Sequence, residues 1–258
     1  MKTIKLFAIT ISIAFILGFT ACLESGGSRY SYTYGSPAVV EHNPQAGTFL
    51  RTAYGSFVPD SASASNIGDL SDDACIYIKF EYNSEYQTGQ YPVASNIAYE
   101  VVKSGSIFDD DVADRLFPYH YPLSSVELFK ESLSPNYKGR FFVLTKAKLD
   151  KNQALDYILY YKSGEETDEN GAINIYLQAH LPVTSTGAQD ISEICALDVR
   201  DIVRSFGRDT TITEGGINYP LIYLKVNLKY ISGMEDDVPV YKSASTQSIY
   251  IYMFKDDL

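Results

Sequence analysis

Tryptophan is absent from this chain of 258 residues, and histidine, cysteine and methionine occur three times each. Each shortage narrows the chemistry. His42, His120 and His180 sit in three separate segments, and no His-Glu-x-x-His stretch supplies a metal site or a base. The cysteines form no Cys-x-x-Cys pair, and three of them do not make an even disulfide framework. A Gly-x-Ser-x-Gly elbow and a phosphate-binding loop are missing as well. Basic residues are scarce: 21 Lys and Arg against 32 Asp and Glu give a net charge of −11. That balance argues against nucleic acid or an anionic lipid surface as a partner. No nucleophile, cofactor or metal constellation stands out, so the chain reads as a non-enzyme with no cofactor and no metal. A pair of carboxylates that meets only in the fold leaves a glycan-processing enzyme as the catalytic alternative.

What the chain does have begins at its first residue. Lys2 and Lys5 open a short basic start, an apolar run follows over 6–17, and Phe19-Thr20-Ala21-Cys22 closes it with small residues before a cysteine. The run is shorter than the roughly 18–20 residues a membrane-crossing helix needs. This layout predicts a lipoprotein signal peptide over 1–21 and a lipid on the thiol of Cys22. Residues 22–30, with Leu-Glu-Ser-Gly-Gly-Ser at their start, make a flexible tether. The expected location is the outer membrane, lipid-anchored, on the cell surface or the periplasmic face; Glu24 close behind Cys22 points to the surface. Cys75 and Cys195 remain, read as two separate buried thiols with a bridge between them as the alternative.

Twenty-two tyrosines and thirteen phenylalanines favour pleated, half-buried surfaces. Strands are expected over 32–40, 48–54, 74–82 and 96–103, with Asn43-Pro44 as a turn and 57–73 mainly loop. In 74–82 the alternation sets Ile76, Ile78, Phe80 and Tyr82 on one face. Four or five short strands suit a small barrel over 31–108. Pro118, Pro122 and Pro135 then oppose continuous structure, so 109–138 is read as a linker with a helical segment over 124–133. Beyond it, strands are expected over 140–145, 155–162, 172–179, 219–230 and 248–254. Ile191, Ile194, Leu197, Ile202 and Phe206 recur at helical spacing ahead of Gly207, predicting one amphipathic helix over 190–206. Such a set points to a β-sandwich over 139–258 with one inserted helix, in a mainly β protein.

Several short stretches carry a resemblance: Gly47-Thr-Phe-Leu-Arg-Thr-Ala-Tyr-Gly55, the 75–82 strand, Ala98-Tyr-Glu-Val-Val-Lys103, Ile173-Asn-Ile-Tyr-Leu-Gln-Ala-His180 and Leu221-Ile-Tyr-Leu-Lys-Val-Asn227. Together with the lipobox, their order resembles the NigD-like lipoproteins of the Bacteroidetes. The resemblance implies an OB-like N-terminal barrel and an immunoglobulin-like C-terminal sandwich. It implies a location and a fold but no activity.

Two stretches offer sites. Tyr119, His120 and Tyr121, between Pro118 and Pro122, form a stiff aromatic loop. Its rings either stack on a sugar or peptide partner or pack between the two domains. Glu166-Thr-Asp168-Glu-Asn170-Gly171 mimics the start of a calcium loop, but position 12 is Leu177, so a solvated Asn-Gly hairpin is the better reading. Asp109-Asp110-Asp111 with Asp114 reads as a hydrated acidic linker. The resulting expectation is a non-catalytic envelope lipoprotein that binds an unidentified envelope protein or glycan and touches the membrane through Cys22. The alternative is a structural anchor or accessory subunit of a surface fibre, contacted by strand addition.

Overall fold

Short apolar strands punctuated by turn residues assemble into two β units in the computed structural model, which describes residues 31–83, 91–109, 120–129, 134–150, 153–162, 167–181, 189–214 and 216–257. The leader, Cys22, the tether and residues 110–119 lie outside those residues. The first unit ends at Val101 and the second begins at Val102.

In the first unit, β1 (Ser31–Asn43), β2 (Gly47–Thr52), β3 (Gly55–Pro59), β4 (Cys75–Asn83) and β5 (Val93–Val101) close into a barrel in the order β1-β2-β3-β5-β4. The expected β1–β2 turn is an Asx-turn. Asn43 Oδ1 accepts from the N–H groups of Gln45 and Ala46 at 2.9 and 3.0 Å, and Gly47 follows at φ +87°. Alternation in β4 does what its pattern predicts: Ile76, Ile78 and Phe80 enter the barrel core beside Val40, Leu50 and Phe57. Within the segment expected as loop, α1 (Ala64–Gly68) places a fully buried Ile67 in that core. A closed five-stranded barrel with a short helix between its third and fourth strands is the OB-like arrangement expected.

The second unit contains β6 (Lys103–Asp109), β7 (Ser125–Leu128), β8 (Arg140–Leu149), β9 (Asp156–Tyr161), β10 (Ile173–His180), β11 (Gln189–Asp198), β12 (Arg208–Glu214), β13 (Ile217–Glu235), β14 (Val238–Ser243) and β15 (Ile249–Phe254). One layer runs β7-β8-β11. The other runs β9-β10-β13, with β12, β14 and β15 also on β13. β6 joins the two: its start pairs with Cys195–Leu197 of β11, and its end with 158–161 of β9. Phe141, Val143 and Leu197 from one layer meet Leu159, Ile175, Val226 and Ile251 from the other in a single core, which makes the unit a β-sandwich.

Three expectations need correction. The barrel gives up the chain at Val101 rather than at 108, because Lys103–Asp109 finds parallel partners in the second unit. Residues 109–138 are not wholly linker: β7 lies within them, pairs with β8 and buries Val126 in the sandwich core, so the described part of the 124–133 helix is a strand. The helix over 190–206 is also split. Residues 189–198 form β11, bonded along ten residues to β8 and along three to β6, and only α2 (Arg200–Phe206) is helical. Burial of Cys195, Ala196 and Leu197 in succession erases the period of two, so the apolar residues that remain mimic helical spacing. Gly207 does end the helix, its N–H donating to Val203 O at 2.8 Å.

Candidate binding face

Of the aromatic loop, Tyr119 lies outside the described residues, while His120 and Tyr121 fall beside β10. The Tyr121 N–H donates to Ala179 O at 2.8 Å, its hydroxyl donates to the carbonyl of Lys148, and its ring packs on the sandwich core. Tyr121 is thus tied into its own unit, with its ring partly exposed. The antiparallel Tyr121–Ala179 bridge also sets His120 across from His180, a neighbourhood that separate sequence segments conceal. Among the described residues, no three His, Cys, Asp or Glu side chains gather to hold a metal ion. Cys75 and Cys195 are both buried, one in each unit, and are not bridged to each other.

The acidic turn before β10 is structural. Asp168 Oδ1 accepts from the N–H groups of Asn170 and Ala172 at 2.9 and 2.8 Å, and Oδ2 accepts from Asn227 Nδ2 at 2.9 Å. Gly171 completes the turn at φ +72°. The Ala172 N–H first, then the Asn227 amide, the Asn170 N–H and the charge of Lys225, hold the Asp168 carboxyl below the usual range despite its partial desolvation. Both oxygens are thus occupied by the chain itself. Asn227 links onward, its Oδ1 accepting from Ser248 Oγ at 2.6 Å, so the turn is fastened to β13 and to the start of β15.

That turn borders the outer face of the β10-β13-β15 layer. Along β13, Leu224, Val226 and Leu228 point into the core, which leaves Tyr223, Lys225, Asn227 and Lys229 on the other side. Register then places Arg208 and Tyr252 beside Tyr223, and Tyr250 beside Lys225. Tyr250 and Tyr252 stack with centroids 6.3 Å apart and planes at 26°; Tyr223 lies 5.9 Å from Tyr250. Between them opens a pocket of about 130 Å³ lined by Asn170, Phe206, Arg208, Tyr223, Lys225 and Tyr250. Gly171 also lines it, and a Cβ there would lie 3.5 Å from Arg208 Nη2, so the bare glycine leaves the guanidinium accessible. Among the described residues, no carboxylate forms an ion pair with Arg208 or Lys225.

Farther along the same face the pairing of cations with tyrosines recurs. Lys162 Nζ lies 5.0 Å from the Tyr176 ring and 5.2 Å from Tyr241, and Lys229 Nζ lies 5.5 Å from Tyr176. Tyr160 and Tyr241 share a hydroxyl contact of 2.6 Å beneath them. On the core side, Tyr157 donates to Glu193 Oε2 at 2.9 Å and meets Thr145 Oγ1 at 2.7 Å. Burial, opposed by the Thr145 bond and reinforced by the charge of Glu193, pushes its phenol far above the ordinary range and keeps it neutral.

Of the pocket residues, the sequence singled out Asn170 and Gly171 as a hairpin turn and Phe206 as part of a helix face, and it marked none of Arg208, Tyr223, Lys225 and Tyr250 as a site residue. The alternation of 219–230 and 248–254 does place Tyr223, Lys225, Tyr250 and Tyr252 on outward positions. Arg208 carries no such signal, because β12 shows no clear apolar alternation.

A barrel of OB-like order joined in sequence to a β-sandwich defines a two-unit, mainly β protein with no helix among the described residues long and apolar enough to cross a membrane. Solved structures from Bacteroidetes share this arrangement. A NigD-like immunity protein from Bacteroides caccae matches 81% of this chain and 91% of its own at a TM-score of 0.51 and 12% identity. A candidate lipoprotein from Bacteroides fragilis matches 85% and 95% at 0.55 and 11% identity, and a protein of unknown function, DUF1344, from Bacteroides vulgatus matches 88% and 94% at 0.53 and 12%. At that identity the likeness is one of fold, and at the level of fold the resemblance to NigD-like proteins holds. No protein-family model and no curated protein matches the chain.

Proposed function

We propose that this chain is a non-catalytic lipoprotein of the envelope, held at the outer membrane by a lipid on Cys22, whose second unit binds a partner through the outer face of β10, β13 and β15. The observation that carries the binding role is the pocket in which Arg208, Lys225, Tyr223 and Tyr250 converge, with no salt bridge to Arg208 or Lys225 among the described residues. Cationic side chains and partly open rings that strands hold in place around one pocket suit recognition more than support of the fold. The anchor rests on the leader pattern, and a fold neighbour described as a candidate lipoprotein agrees with it. A NigD-like immunity protein shares the fold, so a protein partner is as compatible with this reading as a glycan.

The test has two parts. Metabolic labelling with a palmitate analogue should mark the native protein and not Cys22→Ala, and protease shaving of intact cells should then show which side of the outer membrane it occupies. A Cys22→Ala protein that is labelled and sediments with membranes like the native one removes the anchor. In the second part, a benzoylphenylalanine crosslinker at position 250 should capture an envelope component in living cells. A crosslinker there that captures nothing, while one on another face of the second unit does, removes the binding face.

A further inference from the structure

We propose that the pocket takes an acidic sugar, a six-membered ring bearing a carboxylate or sulfate, with the anion on Arg208 and Lys225 and the ring against Tyr250. This rests on the reading of the second unit as a binding module and names the class of ligand.

Charge is the first argument. In a chain of net charge −11, two cations that meet at one pocket with no carboxylate bonded to them among the described residues run against the overall balance. Asp168 stands near Lys225, but its oxygens are filled by two N–H groups and an amide. The planar fork of Arg208 matches a carboxylate or a sulfate through two parallel N–H bonds, and Lys225 adds a point charge beside it.

Size is the second. A cavity of about 150 Å³ accommodates one benzene ring, whereas pockets for drug-sized ligands begin near 300 Å³. At about 130 Å³ this pocket takes one ring, and its open mouth lies on a sheet face along which neighbouring rings of a chain can run. A peptide would need more depth for a side chain with its flanking backbone.

The third is the aromatic surface. Tyr250 is 41% exposed and stacks on Tyr252, so a braced ring presents apolar surface beside the cations. A sugar ring offers a C–H face to such a plane while its hydroxyl edge stays in water, and tyrosine supplies the area at low entropic cost. Gly171 keeps the approach to Arg208 clear, as a bulkier residue there would not.

The test is calorimetric titration of full-length protein in mild detergent with tetragalacturonate, a chondroitin sulfate tetrasaccharide and neutral cellotetraose. Binding of at least one acidic tetrasaccharide about tenfold or more tighter than cellotetraose is expected. Arg208→Met and Tyr250→Ala should each weaken it by about tenfold, with an unchanged circular dichroism spectrum and thermal midpoint because both side chains are exposed. Arg208→Lys should restore only part of the loss, and added salt should weaken the interaction. Tetragalacturonate carries carboxylates alone, so binding of the chondroitin probe without binding of tetragalacturonate, lost in the unsulfated chondroitin tetrasaccharide, points to the sulfate. Cellotetraose binding as tightly, or acidic binding untouched by Arg208→Met, overturns the inference. If no saccharide binds but the crosslinker at position 250 captures an envelope protein, the acidic-sugar inference fails and the binding-module reading stands. If neither occurs, both fail.

Discussion

Tyr157→Phe removes one oxygen from the second unit, and its cost can be worked out atom by atom. Tyr157 and Thr145 bring two hydroxyl protons to three contacts: Tyr157 with Glu193 Oε2, Thr145 with Tyr157, and Thr145 with the carbonyl of Glu193 at 3.2 Å. The phenol proton goes to the carboxylate, the strongest acceptor, and Thr145 donates to the phenol oxygen or the carbonyl. Removing the phenol oxygen therefore orphans nothing. Thr145 keeps the carbonyl, and half-exposed Glu193 turns to water. The expected cost is one charge-assisted bond, about 1.5 kcal/mol at pH 7. The pH dependence makes the prediction sharper. The folded phenol titrates well above its unfolded value near 10, so its contribution is fully present below pH 10. Above that, the unfolded state releases a proton the native state retains, and stability falls by about 1.4 kcal/mol per pH unit. Wild type and Tyr157→Phe should thus differ by about 1.5 kcal/mol at pH 7 and become nearly equal at pH 11. Urea unfolding followed by far-ultraviolet circular dichroism measures this, since the chain lacks tryptophan and tyrosine emission is itself lost on ionisation. The other tyrosines titrate in both proteins and cancel. A difference that stays constant from pH 7 to 11, or a variant as stable as wild type at pH 7, refutes the reasoning.

Gly207→Ala should destabilise the second unit by about 1–3 kcal/mol in the same assay, because a Cβ would collide with the Val203 carbonyl and Ile222 where α2 gives way to β12. Ile67→Ala should cost about 2–5 kcal/mol in the unfolding of the first unit, for the side chain is fully buried in the barrel core. Asp168→Asn should flatten the acid limb of the unfolding curve. The lowered Asp168 carboxyl contributes stability above its unfolded value near 3.8 that is lost as pH falls through its folded one, and an unchanged limb would contradict that. Tyr121→Ala should lower the thermal midpoint of the second unit, since its ring packs on the core and its hydroxyl bonds Lys148; a variant with the wild-type midpoint would show the loop to be independent of the sandwich.

Strands with one buried face were legible because their side chains record it. Ile76, Ile78 and Phe80 in β4, and Leu224, Val226 and Leu228 in β13, sit at every second residue and all reach a core. β11 was not legible for the converse reason: sandwiched between β8 and β6, it buries consecutive residues, and what remained of its pattern fitted a helix. β6 and β7 were hidden by their surroundings. An acidic run and a set of prolines mark chain that bends, but they do not mark which sheet its short straight pieces join. The aromatic loop drew notice because its rings are adjacent in sequence, whereas the residues that form the pocket come from the β9–β10 connection, α2, β12, β13 and β15, and only the register between strands brings them together.

Net charge needs the same distinction between sums and places. The excess of acid argues against a polyanion laid across the protein, because such a ligand meets the whole field. A single anionic ring in a pocket meets mainly the charges within a Debye length, about 8 Å at physiological ionic strength. Arg208 and Lys225 line that pocket, and the nearby Asp168 carboxylate already accepts from two N–H groups and an amide. Distant acids act chiefly on the approach of the ligand, slowing encounter at low salt, while the local cations govern how long it stays. An acidic chain can therefore exclude nucleic acid and still suit a single anionic ring on one face. In such a site, loss of Arg208 should appear mainly in the dissociation rate, and reversal of remote acids mainly in the association rate.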